Sequence, residues 1–113
     1  MSNVFKNSKA KSVGTSFTNL YTCPSGKLSS IITNFRISNL TASPITVNAQ
    51  MKDYSDSNNT VALIGTDTAI AANGFLDVLP NGGRIVLETS DAIEVKSSAA
   101  TSIDAHLGAN EFA

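Results

Sequence analysis

The stretch Ile31-Ile-Thr-Asn-Phe-Arg-Ile-Ser-Asn-Leu40 (IITNFRISNL) decides how this chain is read. Its odd positions Ile31, Phe35 and Ile37 are apolar, and Asn34, Arg36 and Ser38 between them are polar. A period of two marks a strand with one face on a core and the other in water. Pro44–Asp53 repeats the theme, with Ile45, Val47, Ala49 and Met51 set against Thr46, Asn48, Gln50 and Lys52.

Working outward, shorter strands are expected near 60–64, 75–79, 84–88, 92–96 and 102–107, with an opening strand at 16–22. Asn73-Gly74, Pro80-Asn-Gly-Gly83 and Thr89-Ser-Asp91 supply turn chemistry between them. Asp67–Ala72 can make one helical turn at most, and no amphipathic helix appears elsewhere. About eight strands at this spacing predict an all-β fold. The expectation is a single-domain antiparallel β-sandwich, a jelly roll or related Greek key, over residues 13–113.

Residues 1–12 read as an extended N-terminal arm. Lys6, Lys9 and Lys11 alternate with small polar residues, and Val4 and Phe5 are its apolar anchors. Fully extended, such an arm reaches up to ~40 Å. Removing it is expected to leave the domain folded and to abolish attachment to a partner.

The chain has 113 residues, enough for one modest core. Charged residues make up 15%, below the usual ~25%, and Ser, Thr and Asn fill the gap. A net charge of -1 gives no basic footprint for nucleic acid. Three lysines in the arm would bind it only weakly, and stacking aromatics are scarce. One Cys rules out an intrachain disulfide. MSNVFKNSKAKS lacks the apolar stretch of a secretory signal, and nothing approaches a membrane span, so synthesis in the cytoplasm is expected.

Several motifs carry candidate chemistry. In Tyr21-Thr-Cys-Pro-Ser-Gly-Lys-Leu28, a phosphate loop would need Gly at Tyr21, a hydroxyl at Leu28 and a following helix. All three are missing. A type I turn with Pro24 second and Gly26 fourth fits instead. His106 and Asp104 share one face of the last strand, but no positioned nucleophile accompanies them. Cys23 lacks an activating base and reads as a small, half-buried residue. One Cys and one His give no zinc ligand set. The run Asp53–Thr60 fails the calcium-loop spacing, because Val61 stands where Gly is required. It reads as a solvated hairpin loop whose Asp53, Tyr54 and Asp56 could touch a neighbour. Asn39-Leu-Thr41 and Asn58-Asn-Thr60 are formal glycosylation acceptors that indicate loops. No catalytic residue, cofactor or metal is therefore expected.

The order of segments resembles a loose family of small β-sandwich virion proteins of tailed bacteriophages. The resemblance spans about residues 16–108. It is carried by Leu20-Tyr-Thr-Cys-Pro-Ser-Gly-Lys27, Asn39-Leu-Thr41, Asn81-Gly-Gly83, Ile85-Val-Leu-Glu88 with Asp91, and Ser97-Ser-Ala-Ala-Thr101. Cys23 stands where an aliphatic residue is usual, and the lysine-bearing arm lies outside the shared pattern. The resemblance implies a non-enzymatic, oligomeric structural protein of the virion, made in the host cytoplasm. The expected role is capsid decoration, cementing the major capsid protein or other virion proteins, with trimers as the expected oligomer. A neck, collar, tail or fibre-associated role is the alternative within that class. A carbohydrate-binding module of a host-recognition fibre is the alternative from another class, with Tyr54 the one aromatic in a likely contact loop.

Overall fold

Along β3 (Ser29–Asn39) the side chains of Phe35 and Ile37 point into the core, as their alternation requires. The phase then slips. Gly108 of β10 (Ile103–Phe112) pairs with Asn34, but Ala109 pairs with Ile32, so Thr33 is an extra residue on β3. A bulge of this kind turns every residue beyond it to the opposite face. Ile32 is consequently the fully buried isoleucine, and Ile31, expected inside, lies half-buried on the outer face. β4 (Ile45–Asp53) has no such slip: Ile45, Val47 and Ala49 are buried as expected.

The computed structural model describes residues 3–113, and among them there is no α-helix. The remaining strands are β1 (Asn3–Val13), β2 (Thr18–Thr22), β5 (Asn59–Ala62), β6 (Thr68–Ile70), β7 (Phe75–Asp77), β8 (Ile85–Glu88) and β9 (Ala92–Ser97). Sheet A runs β1-β10-β3, and β7 and β8 lie end to end along the far side of β3. Sheet B runs β2-β9-β4, with β5 and β6 end to end along β4. Ten strands therefore occupy eight lanes, four in each antiparallel sheet. Numbered along the chain, the lanes read 1-8-3-6 and 2-7-4-5, which is the jelly roll.

Three details refine or correct the sequence reading. Asp67–Ala72 makes no helical turn: Asp67 takes a left-handed conformation (φ 53) and β6 follows. The bend after β2 sits one residue later than expected, because the Lys27 N–H bonds the Pro24 carbonyl at 3.0 Å, making Pro24 its first residue. The bend also carries the chain from sheet B to sheet A rather than closing a hairpin.

The third difference concerns the arm. Residues 3–13 are a full edge strand, paired with β10 in unbroken register from Asn3–Phe112 to Ala10–Ala105. Val13 is buried and Ala10 packs on the core. The boundary expected between residues 12 and 13 falls inside β1. Its polar, lysine-rich sequence hid this because an edge strand of a sandwich needs few apolar residues. Residues 1 and 2 of the expected arm lie outside the described part.

Between the sheets, Ile32, Ile37, Val47, Leu87, Ile93, Val95, Ile103 and Leu107 are essentially inaccessible to solvent. Each such side chain contributes roughly 1.5–3 kcal/mol by leaving water. Asn39 is one of several polar exceptions. Its amide donates to the carbonyls of Ser43 (2.9 Å) and Ala71 (3.0 Å), and its side-chain oxygen accepts from the Thr41 N–H (2.9 Å). The formal glycosylation acceptor is thus a buried structural residue at the end of β3.

Candidate interaction surface

β1 distributes the residues expected to bind a partner over two faces. Phe5 and Lys9 pair with Asn110 and His106 and lie on the outer face of sheet A. Val4 and Lys6 pair with Glu111 and Ala109, both buried, and so have the inward phase. Lys6 is nevertheless exposed. Lys9 and Lys11 share a shallow groove of about 390 Å³ with Ser38, Asp104 and His106. The structure brings these two lysines together and sets the other three residues apart.

The outer face of sheet A is ordered in rows. Lys9, His106, Arg36 and Asp77 stand side by side on four adjacent strands. Arg36 bonds Asp77 at 3.0 Å and lies 4.2 Å from the centre of the Phe75 ring, both at the surface. Nearer the Pro24 bend, Phe5, Asn110, Ile31 and Val86 make a second row. Phe5 is 78% exposed and Val86 62%. Between them the Asn110 side-chain oxygen is buried with no hydrogen-bond partner. Sequence reasoning missed this apolar row, because its members come from four distant segments.

Sheet B presents a different outer face. Asn48 and Asp67 exchange two hydrogen bonds, and Glu94 binds both Gln50 (2.8 Å) and Lys52 (3.2 Å). Its polar groups largely satisfy one another. The loop residues make local hydrogen bonds at the surface. Asp53 accepts from Ser55, Asp56 accepts from Asn59, and the Tyr54 N–H donates to buried Asp91 at 3.0 Å. The Tyr54 ring remains exposed.

Asp104 and His106, which share a face of β10, are not bonded to each other. The Asp104 carboxylate accepts the Ser12 N–H at 2.9 Å and so serves the bulge of β1, not His106. Among the described residues no hydroxyl is bonded to His106, and no three His, Cys, Asp or Glu side chains meet in a metal-binding arrangement. Cys23 is fully rather than half buried, and its sulfur lies 3.2 Å from the Ser30 hydroxyl. Ser30 is bonded to the Tyr21 hydroxyl, which donates to Glu111. Burial, followed by the hydrogen bond to Glu111, holds the Tyr21 phenol well above its ordinary pKa. This polar cluster is sealed inside the sandwich and offers no access to a substrate.

No family model matches the sequence, and no curated protein matches it. Solved structures are similar in fold. A chain from the acidic stable capsid structure of Helicobacter pylori bacteriophage KHP30 superposes with a TM-score of 0.55 at 9% identity, covering 98% of this chain and 87% of that one. A chain of the cyanophage Pam1 capsid asymmetric unit gives 0.44 at 14% identity, over 98% and 86%. A Bacillus endospore appendage, a disulfide-linked pilus, gives 0.44 at 9% identity, over 98% and 84%. The KHP30 chain shares the fold, and the two weaker likenesses fall short of that.

Proposed function

We propose that this protein is a non-enzymatic structural component of a bacteriophage virion that decorates the head shell. The observation that carries this reading is the lane order, 1-8-3-6 over 2-7-4-5, spanning nearly the whole chain. A jelly roll filled to its centre works through its surface, and jelly rolls build capsid proteins and lectins alike. The lectin reading gains nothing from the loops, whose carboxylates are engaged within the loops themselves. The fold likeness to a chain of a phage capsid structure supports the virion reading.

On this reading the outer face and free edge of sheet A meet the major capsid protein, with Lys9 and Lys11 at the contact. Trimeric assembly remains part of the proposal. The test is co-sedimentation of purified protein with heads that lack it, followed by counting of bound copies. Saturable binding over the shell lattice is expected. Binding at a single vertex, to tails only, or to host glycans instead of heads would replace decoration with a neck, tail or lectin role.

A further inference from the structure

A sandwich of two open sheets has four strand edges, and three of them are closed to an added strand. The β5–β6 edge is broken into pieces of four and three residues, and the β7–β8 edge into three and four. β2 has only five residues, and its register slips at Leu20, whose carbonyl is occupied by the Ser8 hydroxyl. Short, interrupted or bulged edges resist further pairing. The fourth edge is different. β1 pairs with β10 from Asn3 to Ala10 without interruption, and among the described residues no backbone hydrogen bond occupies its other side. Only its last turn is closed, where the backbone bulges at Ser12 (φ 52) and Asp104 takes the Ser12 N–H.

Eight consecutive residues therefore offer an open ladder, guarded by lysines alone. Three of the chain's eight basic residues, and none of its nine acidic ones, lie in β1. Lys9 stands on the outer flank and Lys6 on the opposite one, so a strand added here meets an ammonium group on each side. Pairing β1 with β1 of a second copy would bring together two strands whose only charges are positive, which is unfavourable. A carboxylate-bearing strand meets no such penalty, and exposed Phe5 supplies an apolar contact on the outer flank.

We infer that the outer edge of β1, Asn3–Ala10, receives an extended, acidic segment of another protein as an added strand of sheet A. The inference deepens the decoration reading by assigning the segment to the shell, but the edge is testable on the isolated protein.

The probe is a capped ten-residue peptide of Val, Thr and Glu at millimolar concentration. Its controls are the same peptide with each Glu replaced by Lys, and the Glu peptide with a central Pro that cannot join a ladder. Amide hydrogen exchange across residues 3–10 is read by NMR. The Glu peptide should slow exchange there, and the Lys and Pro peptides should bind at least about tenfold more weakly. Lys6→Glu/Lys9→Glu/Lys11→Glu, three exposed substitutions, should invert the preference. Equal protection by both charge types, protection by the Pro peptide, no protection at all, or dimerisation of the protein through β1 would overturn the inference. A positive peptide result with no binding to heads would reject decoration and leave strand addition standing.

Discussion

Tyr21 of β2 and Glu111 of β10 meet inside the sandwich, the phenol donating to the carboxylate across 2.5 Å and tying sheet B to sheet A. Glu111 is 3% exposed, so it depends on this donor for what water would otherwise supply. Tyr21→Phe should destabilise the fold by about 3 kcal/mol, because it leaves a buried carboxylate without its partner. Urea denaturation at neutral pH measures this. A change below ~1 kcal/mol would mean that water reaches Glu111.

The same pair has a pH consequence. The Tyr21 phenol has a raised pKa in the fold, so the folded state holds its proton more tightly than the unfolded chain does. The resulting stability is fully present below the unfolded value of about 10 and is lost as pH rises above it. Wild-type stability should fall between roughly pH 10 and 11.5, and Tyr21→Phe should lack that component. Urea midpoints taken across this window, wild type against variant, check the sign. Parallel curves would refute it.

The bulge in β3 reverses two adjacent isoleucines. Ile32→Ala should cost about 2–5 kcal/mol, the range for a buried cavity, and Ile31→Ala less than about 1 kcal/mol. Simple alternation predicts the opposite order. Thermal or urea unfolding of the two variants decides between them.

Asn39 ties two backbone segments together with one amide, 41–43 through Thr41 and Ser43 and 70–71 through Ile70 and Ala71. Asn39→Asp keeps the size but replaces the donor with a charge facing carbonyls. It should destabilise by at least ~2 kcal/mol, and more than Asn39→Ala if the carboxylate stays ionised. Comparing the two variants at pH 7 and near pH 4 tests the charge contribution, since protonation restores a donor.

Deleting residues 1–12 removes a paired edge strand and bares β10. It should lower stability by several kcal/mol and promote association. Lys6→Gln/Lys9→Gln/Lys11→Gln keeps β1 and removes only its charge. The triple variant should melt as wild type does and bind heads more weakly at low salt. Retention of full affinity would exclude the β1 lysines from the contact.

Much of the architecture was legible along the chain. Ile45, Val47, Ala49 and the Ile103-Ala105-Leu107 series announce their buried face, and the Gly- and Asn-bearing turns fall where they were expected. These features are local: a side chain's face follows from its parity, and a left-handed turn from the residue that tolerates it. The candidate surface was less legible. Lys9 and Lys11 were picked out, but their groove is completed by Ser38, Asp104 and His106 from two other strands. The Phe5–Asn110–Ile31–Val86 row joins four segments that no local pattern connects.

Parity and turn chemistry were thus enough, without coordinates, to establish an all-β chain folded as a sandwich. Pairing between distant segments decided the rest. It drew β1 into sheet A, flipped the phase at Thr33, buried Glu111 beside Tyr21, and left the outer edge of β1 unpaired among the described residues. The physical reason is that register and strand partnership depend on residues many tens of positions apart, whose energies exist only once the two sheets have closed on each other.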